Sequence, residues 1–264
     1  MILGYFLAIV VGITLGLVGS GGSILTVPIL VYTMGVDPVL STTYSLFAVG
    51  VTAVVGSLKG FYQGEVDLRK VVSFGIPSLL MVFVTRTFIL PCIPEIFIIG
   101  DWEIHQATVL MIVFAVVMLA SAWSMIKGHS FAFVEKHTAR RFGSGQIVMH
   151  GMLVGLVTGV VGAGGGFLII PALVHFYHMP MKNAVSTSLV IIAVNAGFGL
   201  LGDVEKLPTF DWQILGGYTG LAIGGIFVGF YLANKISGDQ LKKLFGYMIL
   251  LVGMYILVKE LFLI

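Results

Sequence analysis

Two clusters of glycine are the residues of this chain best suited to bind an anion. They lie in the segments GLVGSGGSILTVP (16–28) and GVVGAGGGFLIIP (159–171), each directly before a short apolar stretch. If that stretch begins a helix, its first N–H groups point back at the glycines and carry roughly +0.5 of an elementary charge. We therefore expect two such helix ends to converge on one negative ligand. The predicted ligand-binding residues of the clusters are Gly19, Ser20, Gly21, Gly22, Gly162, Ala163, Gly164, Gly165 and Gly166.

Hydroxyl and amide side chains follow each cluster and could supply further hydrogen bonds. Ser45 and Ser188 lie in STTYSL (41–46) and AVSTSL (184–189), where the next helices open. Their hydroxyls could bind the same ligand, or could cap the helix and bond to its carbonyls. Asn195 offers two donors and an acceptor, which suit a ligand contact and a bond between helices equally well.

Arg86, in MVFVTRTFILP (81–91), is the only Arg or Lys well inside an apolar segment. An isolated charge at the bilayer centre costs at least about 2.5–3.5 kcal/mol, so a partner is expected. Arg86 could bind or gate the anion, or its side chain could reach the interface beyond Leu90. The corresponding position of the second half, near Val228, has no such charge. This asymmetry favours one anion site over two.

The sequence contains no pattern typical of an enzyme. The motifs HExxH and GxSxG are absent, and Cys92 is the only cysteine. His175 and His178 are three residues apart and could hold a metal ion, but no carboxylate or cysteine lies near them. We predict no catalytic residue, no resident metal and no cofactor.

The composition is that of a membrane protein. Of the 264 residues, 58% are hydrophobic and 10% are charged, against about 25% charged in soluble domains. The mean hydropathy is +1.08. We predict an all-α polytopic protein in a lipid bilayer. The net charge of +2 is too small to indicate nucleic acid, and the absence of Lys or Arg before Lys59 argues against a cleaved signal peptide.

An internal repeat organises the chain. Residues 11–58 align without a gap on 154–201, which places glycines on glycines, Pro28 on Pro171 and Ser45 on Ser188. In each copy the apolar stretch after the glycines (23–34 or 166–177) is too short, at about 18 Å of helix, to cross a core of about 30 Å. We predict a first repeat over 1–127, a cytoplasmic linker over 128–146 and a second repeat over 147–264.

The basic residues predict how the repeats are oriented. Lys and Arg lie near 59–70, 127–146 and 234–243, which we place inside, whereas 91–106 and 202–211 are placed outside. An even number of crossings then separates the inside segments, so 147–177 must return to its starting side. The predicted fold is two inverted repeats, each with a broken or re-entrant helix pair followed by three transmembrane helices. This pattern is typical of secondary transporters.

The paired motifs GSGGSILTVP and GAGGGFLIIP, followed by TYSL and STSL, resemble the TauE/SafE sulfite exporter family. The resemblance covers nearly the whole chain. The first copy departs from the pattern at Ser23, where a third glycine is expected, and at Tyr44, which stands opposite Thr187. Membership would imply a permease for sulfite, sulfoacetate or related organosulfonates in the inner membrane.

We therefore predict a secondary transporter, an exporter of small sulfur-containing anions by alternating access. For a monoanion, a potential of 100 mV negative inside contributes about 2.3 kcal/mol towards exit. An anion channel, a metal permease that uses His175 and His178, and uptake in place of export are the alternatives. The predicted partners are the anion and the bilayer, with a homodimer left open.

Overall fold

The computed structural model describes residues 2–19, 22–94, 96–99, 102–127, 144–162, 164–177, 179–233, 235 and 238–262. Three predicted ligand-binding residues, Ser20, Gly21 and Ala163, lie outside the described residues, as does most of the linker 128–146. Nearly all of the described backbone is helical. The predicted helical fold is confirmed.

The described helices fall into two sets of five. The first set is α1 (Ile2–Val18), α2 (Ser23–Met34), α3 (Pro38–Tyr62), α4 (Leu68–Ile89) and α5 (Gln106–Lys127). The second set is α6 (Ser144–Val161), α7 (Gly166–Tyr177), α8 (Met181–Gly202), α9 (Trp212–Ala233) and α10 (Gly238–Phe262). A 3-10 turn (Val204–Thr209) precedes α9, and a small antiparallel hairpin of β1 (Ile96–Ile99) and β2 (Trp102–His105) lies in the loop before α5.

Five helices of the described chain are long and apolar enough to cross a membrane. They are α3, α4, residues 106–123 of α5, α8 and α9, while α1, α2 and residues 145–161 of α6 are apolar but shorter. Large apolar side chains such as Phe227, Leu251 and Tyr255 are exposed, which is the expected state of a surface that faces lipid. The prediction of a multi-pass membrane protein is confirmed.

The two short helices lie in the interior. Every residue from Ser23 to Leu30 of α2 is buried, and α7 buries most of its described side chains. The described glycines of the two breaks, Gly19, Gly22, Gly162, Gly164 and Gly165, are buried as well. Their backbone is therefore covered by protein and not by lipid, where unpaired N–H and C=O groups are costly. The first pair forms a hairpin, since Gly4 at the start of α1 lies against Met34 at the end of α2.

The halves interlock through exchanged helix pairs. Helix α1 packs along α9, and its repeat counterpart α6 packs along α4. Small residues allow the close approach: a Cβ atom at Gly12 would collide with the carbonyl oxygen of Ala222, and one at Gly155 with that of Ser78. These earlier glycines of each repeat therefore serve helix packing.

Helices α3 and α8 form the centre of the arrangement and run antiparallel. Gly60, near the end of α3, lies against Ser186 near the start of α8, whereas Gly50 lies against Ala196 further along. The two helices occupy the same place in their repeats, and antiparallel equivalents are what an inverted repeat requires. The inversion across a membrane and the boundaries at 127 and 147 stay predictions.

Candidate functional site

The first glycine break contacts the second half of the chain. Gly19 has φ of +74°, and a Cβ atom at this position would lie 2.6 Å from Cγ1 of Val185 in α8. The Ser188 hydroxyl lies 3.5 Å from the Gly19 carbonyl oxygen and donates to the Val185 carbonyl at 2.8 Å. Ser188 is thus placed beside the break, and its hydroxyl also bonds to its own helix, as one of the two sequence interpretations expected.

The second glycine break requires glycine at three positions and contacts the first half. Gly162, Gly164 and Gly165 have φ of +70°, +65° and +72°, the left-handed region that a residue with a Cβ atom rarely adopts. Gly162 lies against Thr42, while Gly164 lies between Val49 and Ile192. Gly166 begins α7. Gly22, the repeat counterpart of Gly165, directly precedes α2 and lies against α1.

The two breaks do not converge at their first glycines. Gly19 lies at the level of Val185 and Gly60, whereas Gly162 lies at the level of Thr42, eighteen residues earlier in α3. At 1.5 Å per residue this separates them by about 27 Å along α3. The expectation that the whole clusters share one pocket is therefore wrong for Gly19 and Gly162. The physical reason is that each break packs against the opposite half, at opposite ends of an antiparallel helix pair.

Arg86 is completely buried and ion-paired. Its Nη1 atom donates to Asp203 Oδ2 at 2.7 Å and to Thr42 Oγ1 at 2.9 Å, and Thr43 Oγ1 donates to the same carboxylate oxygen at 2.9 Å. The side chain is fully covered by protein. A stretch of π-helix, Thr85–Ile89, carries Arg86, a distortion that commonly marks functional positions.

Asp203 is the residue that the sequence interpretation missed. It directly follows α8 at the edge of a predicted external loop, yet it is 4% exposed. Its distance from Arg86 along the chain is 117 residues, so only the fold brings the two together. An acidic residue immediately after an apolar segment is the one signal that could have indicated it.

Three predicted site residues keep a buried polar atom without a hydrogen-bond partner within the described residues. The atoms are Ser45 Oγ, Arg86 Nη2 and Asn195 Oδ1, and Arg86 Nε is a fourth. Such groups are uncommon because each costs about 1–3 kcal/mol when buried unpaired. They are therefore candidates for contact with a ligand. Asn195 also joins two helices, since its Nδ2 atom donates to Ser78 Oγ of α4 at 2.8 Å.

The two ends of the α3–α8 helix pair differ in their ion pairs. We call them the Arg86 end, where Gly162 and Thr42 lie, and the Lys59 end, where Gly19 and Val185 lie. At the Arg86 end, Asp203 lies against Thr43; at the Lys59 end, their repeat counterparts are Gly60 and Ser186. Ser186 donates to the carboxylate of Glu65, which pairs with Lys182, so this end has an ion pair too, but a more exposed one. A cavity of about 320 Å³ lies beside this pair. Its lining includes Gly16, Gly56, Lys59, Glu65, Lys182, Val185 and Phe230.

The described residues contain no group of three or more His, Cys, Asp or Glu side chains arranged to hold a metal ion. His178 and the side chain of His175, on which the metal-permease alternative depends, lie outside the described part of the chain. The site described above is built from hydroxyls, amide groups and one ion pair.

Comparison with known proteins assigns the chain to a family. Residues 5–256 match the family model of the sulfite exporter TauE/SafE. A probable membrane transporter protein of Xylella fastidiosa is 31% identical, over 94% of this chain and 91% of the relative. One of Methanocaldococcus jannaschii is 24% identical, over 95% and 94%. No solved structure matches. The chain belongs to the TauE/SafE sulfite exporter family, a family of membrane transporters.

Proposed function

We propose that this protein is a secondary transporter that exports small sulfur-containing anions, such as sulfite or an organosulfonate, across the inner membrane by alternating access. The observation that carries the proposal is the difference between the two ends of one antiparallel helix pair. At one end the Arg86–Asp203 ion pair is buried, whereas at the other end the Glu65–Lys182 ion pair borders a cavity of about 320 Å³. A carrier that opens to one side at a time is expected to show such a difference between its ends.

The arrangement of the halves supports the same proposal. Equivalent contacts join Gly19 to Val185 at one end and Gly162 to Thr42 at the other. We infer from them that the halves are inverted, so that one end could take the form of the other by an exchange of conformation. The positive-inside rule then places the Lys59 end in the cytoplasm. Export from that side follows the membrane potential.

Flux measurements test the transport activity. Purified protein in liposomes is loaded with sulfite or sulfoacetate, and efflux is followed under an imposed potential, with protein-free liposomes as the control. We expect saturable flux that rises when the inside is made negative. An ohmic current of single-channel size would contradict the carrier and support an anion channel.

Thiol accessibility tests alternating access with a matched pair of variants. Thr42→Cys and Val185→Cys are repeat counterparts at the two ends, and both are made with Cys92→Ser, because Cys92 is an exposed thiol. We expect substrate to change the reactivity of the two thiols in opposite directions. Changes in the same direction at both ends would contradict alternating access even if flux is observed.

A further inference from the structure

The cavity at the Lys59 end carries a net positive charge. Its ionisable lining consists of Lys59, Lys182 and Glu65. The Glu65 carboxylate is already satisfied, since Lys182 Nζ lies 2.5 Å from Oε1 and Ser186 Oγ donates to Oε2 at 2.8 Å. The lining therefore has one more positive than negative charge, and the ion pair of Glu65 is made with Lys182 and not with Lys59.

Lys59 lines this cavity. Its side chain is partly buried, and its Nζ atom lies 4.2 Å from the centre of the Phe230 ring. Within the described residues it forms no ion pair. The ring stabilises the ammonium group electrostatically and accepts no conventional hydrogen bond, so the N–H donors remain able to bind an oxygen ligand.

The walls next to Lys59 leave room for a small solute. Gly56 and Gly60 of α3 belong to the lining, where Gly60 packs against Ser186. The cavity volume of about 320 Å³ is at the lower limit of the range of about 300–1,000 Å³ that ligand sites occupy. Val185, against which Gly19 packs, belongs to the same lining. An anion in the cavity would therefore lie beside the first glycine break.

We propose that this cavity is an anion-capture site, in which Lys59 binds the oxyanion group of a small solute that enters from the Lys59 end. The proposal rests on the proposed transport function and deepens it, because it assigns the first binding step to a residue that the glycine motifs do not include. A lipid phosphate offers similar oxygen atoms, and the experiment separates the two sources.

Binding of sulfite and of sulfoacetate is measured calorimetrically on the whole protein, in detergent and in nanodiscs of phosphatidylcholine. The variants are Lys59→Gln, which removes the charge, and Lys59→Arg, which keeps it. Lys70→Gln is the matched control, because Lys70 Nζ also lies over a ring, 4.1 Å from the centre of Tyr177, at the same end but outside the cavity lining.

We expect Lys59→Gln to raise Kd by about tenfold or more, because the variant loses the charge-assisted hydrogen bond to the oxyanion. Lys59→Arg and Lys70→Gln should change Kd by less than about threefold. Equal effects of Lys59→Gln and Lys70→Gln would overturn the proposal, as would binding that phosphatidylcholine nanodiscs abolish, which would assign the site to a lipid phosphate.

Transport by the same variants separates this proposal from the one on which it rests. The wild-type protein could transport the anion while Lys59→Gln transports it from the Lys59 end with an unchanged KM. That result would contradict the capture site and leave the proposed transport function intact. If the wild-type protein neither binds nor carries sulfite or sulfoacetate, the proposed function fails.

Discussion

Removal of Asp203 should leave an uncompensated charge in the protein interior. Arg86 is 0% exposed, and Asp203 is the only carboxylate that the described residues place within ion-pair distance of it. Asp203→Leu therefore strands a guanidinium group whose Nε and Nη2 atoms already have no hydrogen-bond partner there.

The expected loss of unfolding free energy is about 3–5 kcal/mol, the usual cost when one partner of a buried ion pair is removed. Replacing both partners by apolar residues avoids this cost, because no charge remains buried. We therefore expect Arg86→Met with Asp203→Leu to recover most of the loss and to lie within about 1 kcal/mol of the wild-type protein.

The unfolding free energy is measured in detergent from the fluorescence of the three tryptophans. The wild-type protein, both single variants and the double variant are compared. Lys182→Ala is the control: it breaks an ion pair too, but its side chain is 71% exposed, so it should cost no more than about 1 kcal/mol.

Two results would refute this reasoning. One is that Asp203→Leu loses no more unfolding free energy than Lys182→Ala does, which would mean that water reaches Arg86. The other is a double variant as unstable as Asp203→Leu alone, which would show that the loss comes from packing and not from the charge.

Three further predictions concern the glycines and Asn195. Gly164→Ala should lower the unfolding free energy by about 1–2 kcal/mol, because its φ of +65° disfavours a Cβ atom; unchanged stability would contradict the requirement for glycine at this position. Gly12→Leu should lower thermal stability sharply, because the side chain would collide with Ala222; an unchanged melting temperature would contradict the packing role. Ser78→Ala should cost about 1–3 kcal/mol of unfolding free energy by leaving Asn195 Nδ2 unpaired, and a smaller loss would indicate that Asn195 turns to another partner.

Much of the fold could be predicted because it depends on local patterns. Apolar length identifies membrane helices, and the spacing of Gly12 and Gly16 indicates close packing, since both properties act within a few residues. The glycine breaks were likewise predictable, because only glycine readily adopts the positive φ that Gly19 and Gly162 show.

The site was predicted less completely because its geometry depends on long-range contacts. The sequence indicated that Arg86 needs a partner, but not that Asp203 supplies it. It also suggested that the two breaks converge, and the antiparallel pairing of α3 with α8 places Gly19 and Gly162 at opposite ends instead. Nothing near Lys59 in the sequence marks it as a residue of a cavity.

The sequence by itself therefore determined a helical membrane protein with a duplicated, glycine-broken helix pair, because hydropathy and backbone conformation are properties of short segments. Only the tertiary structure decided which half each break contacts, which carboxylate neutralises Arg86 and which residues line the cavity beside Lys59. Those outcomes depend on side chains more than a hundred residues apart, such as Arg86 and Asp203, which meet only when the two halves interlock.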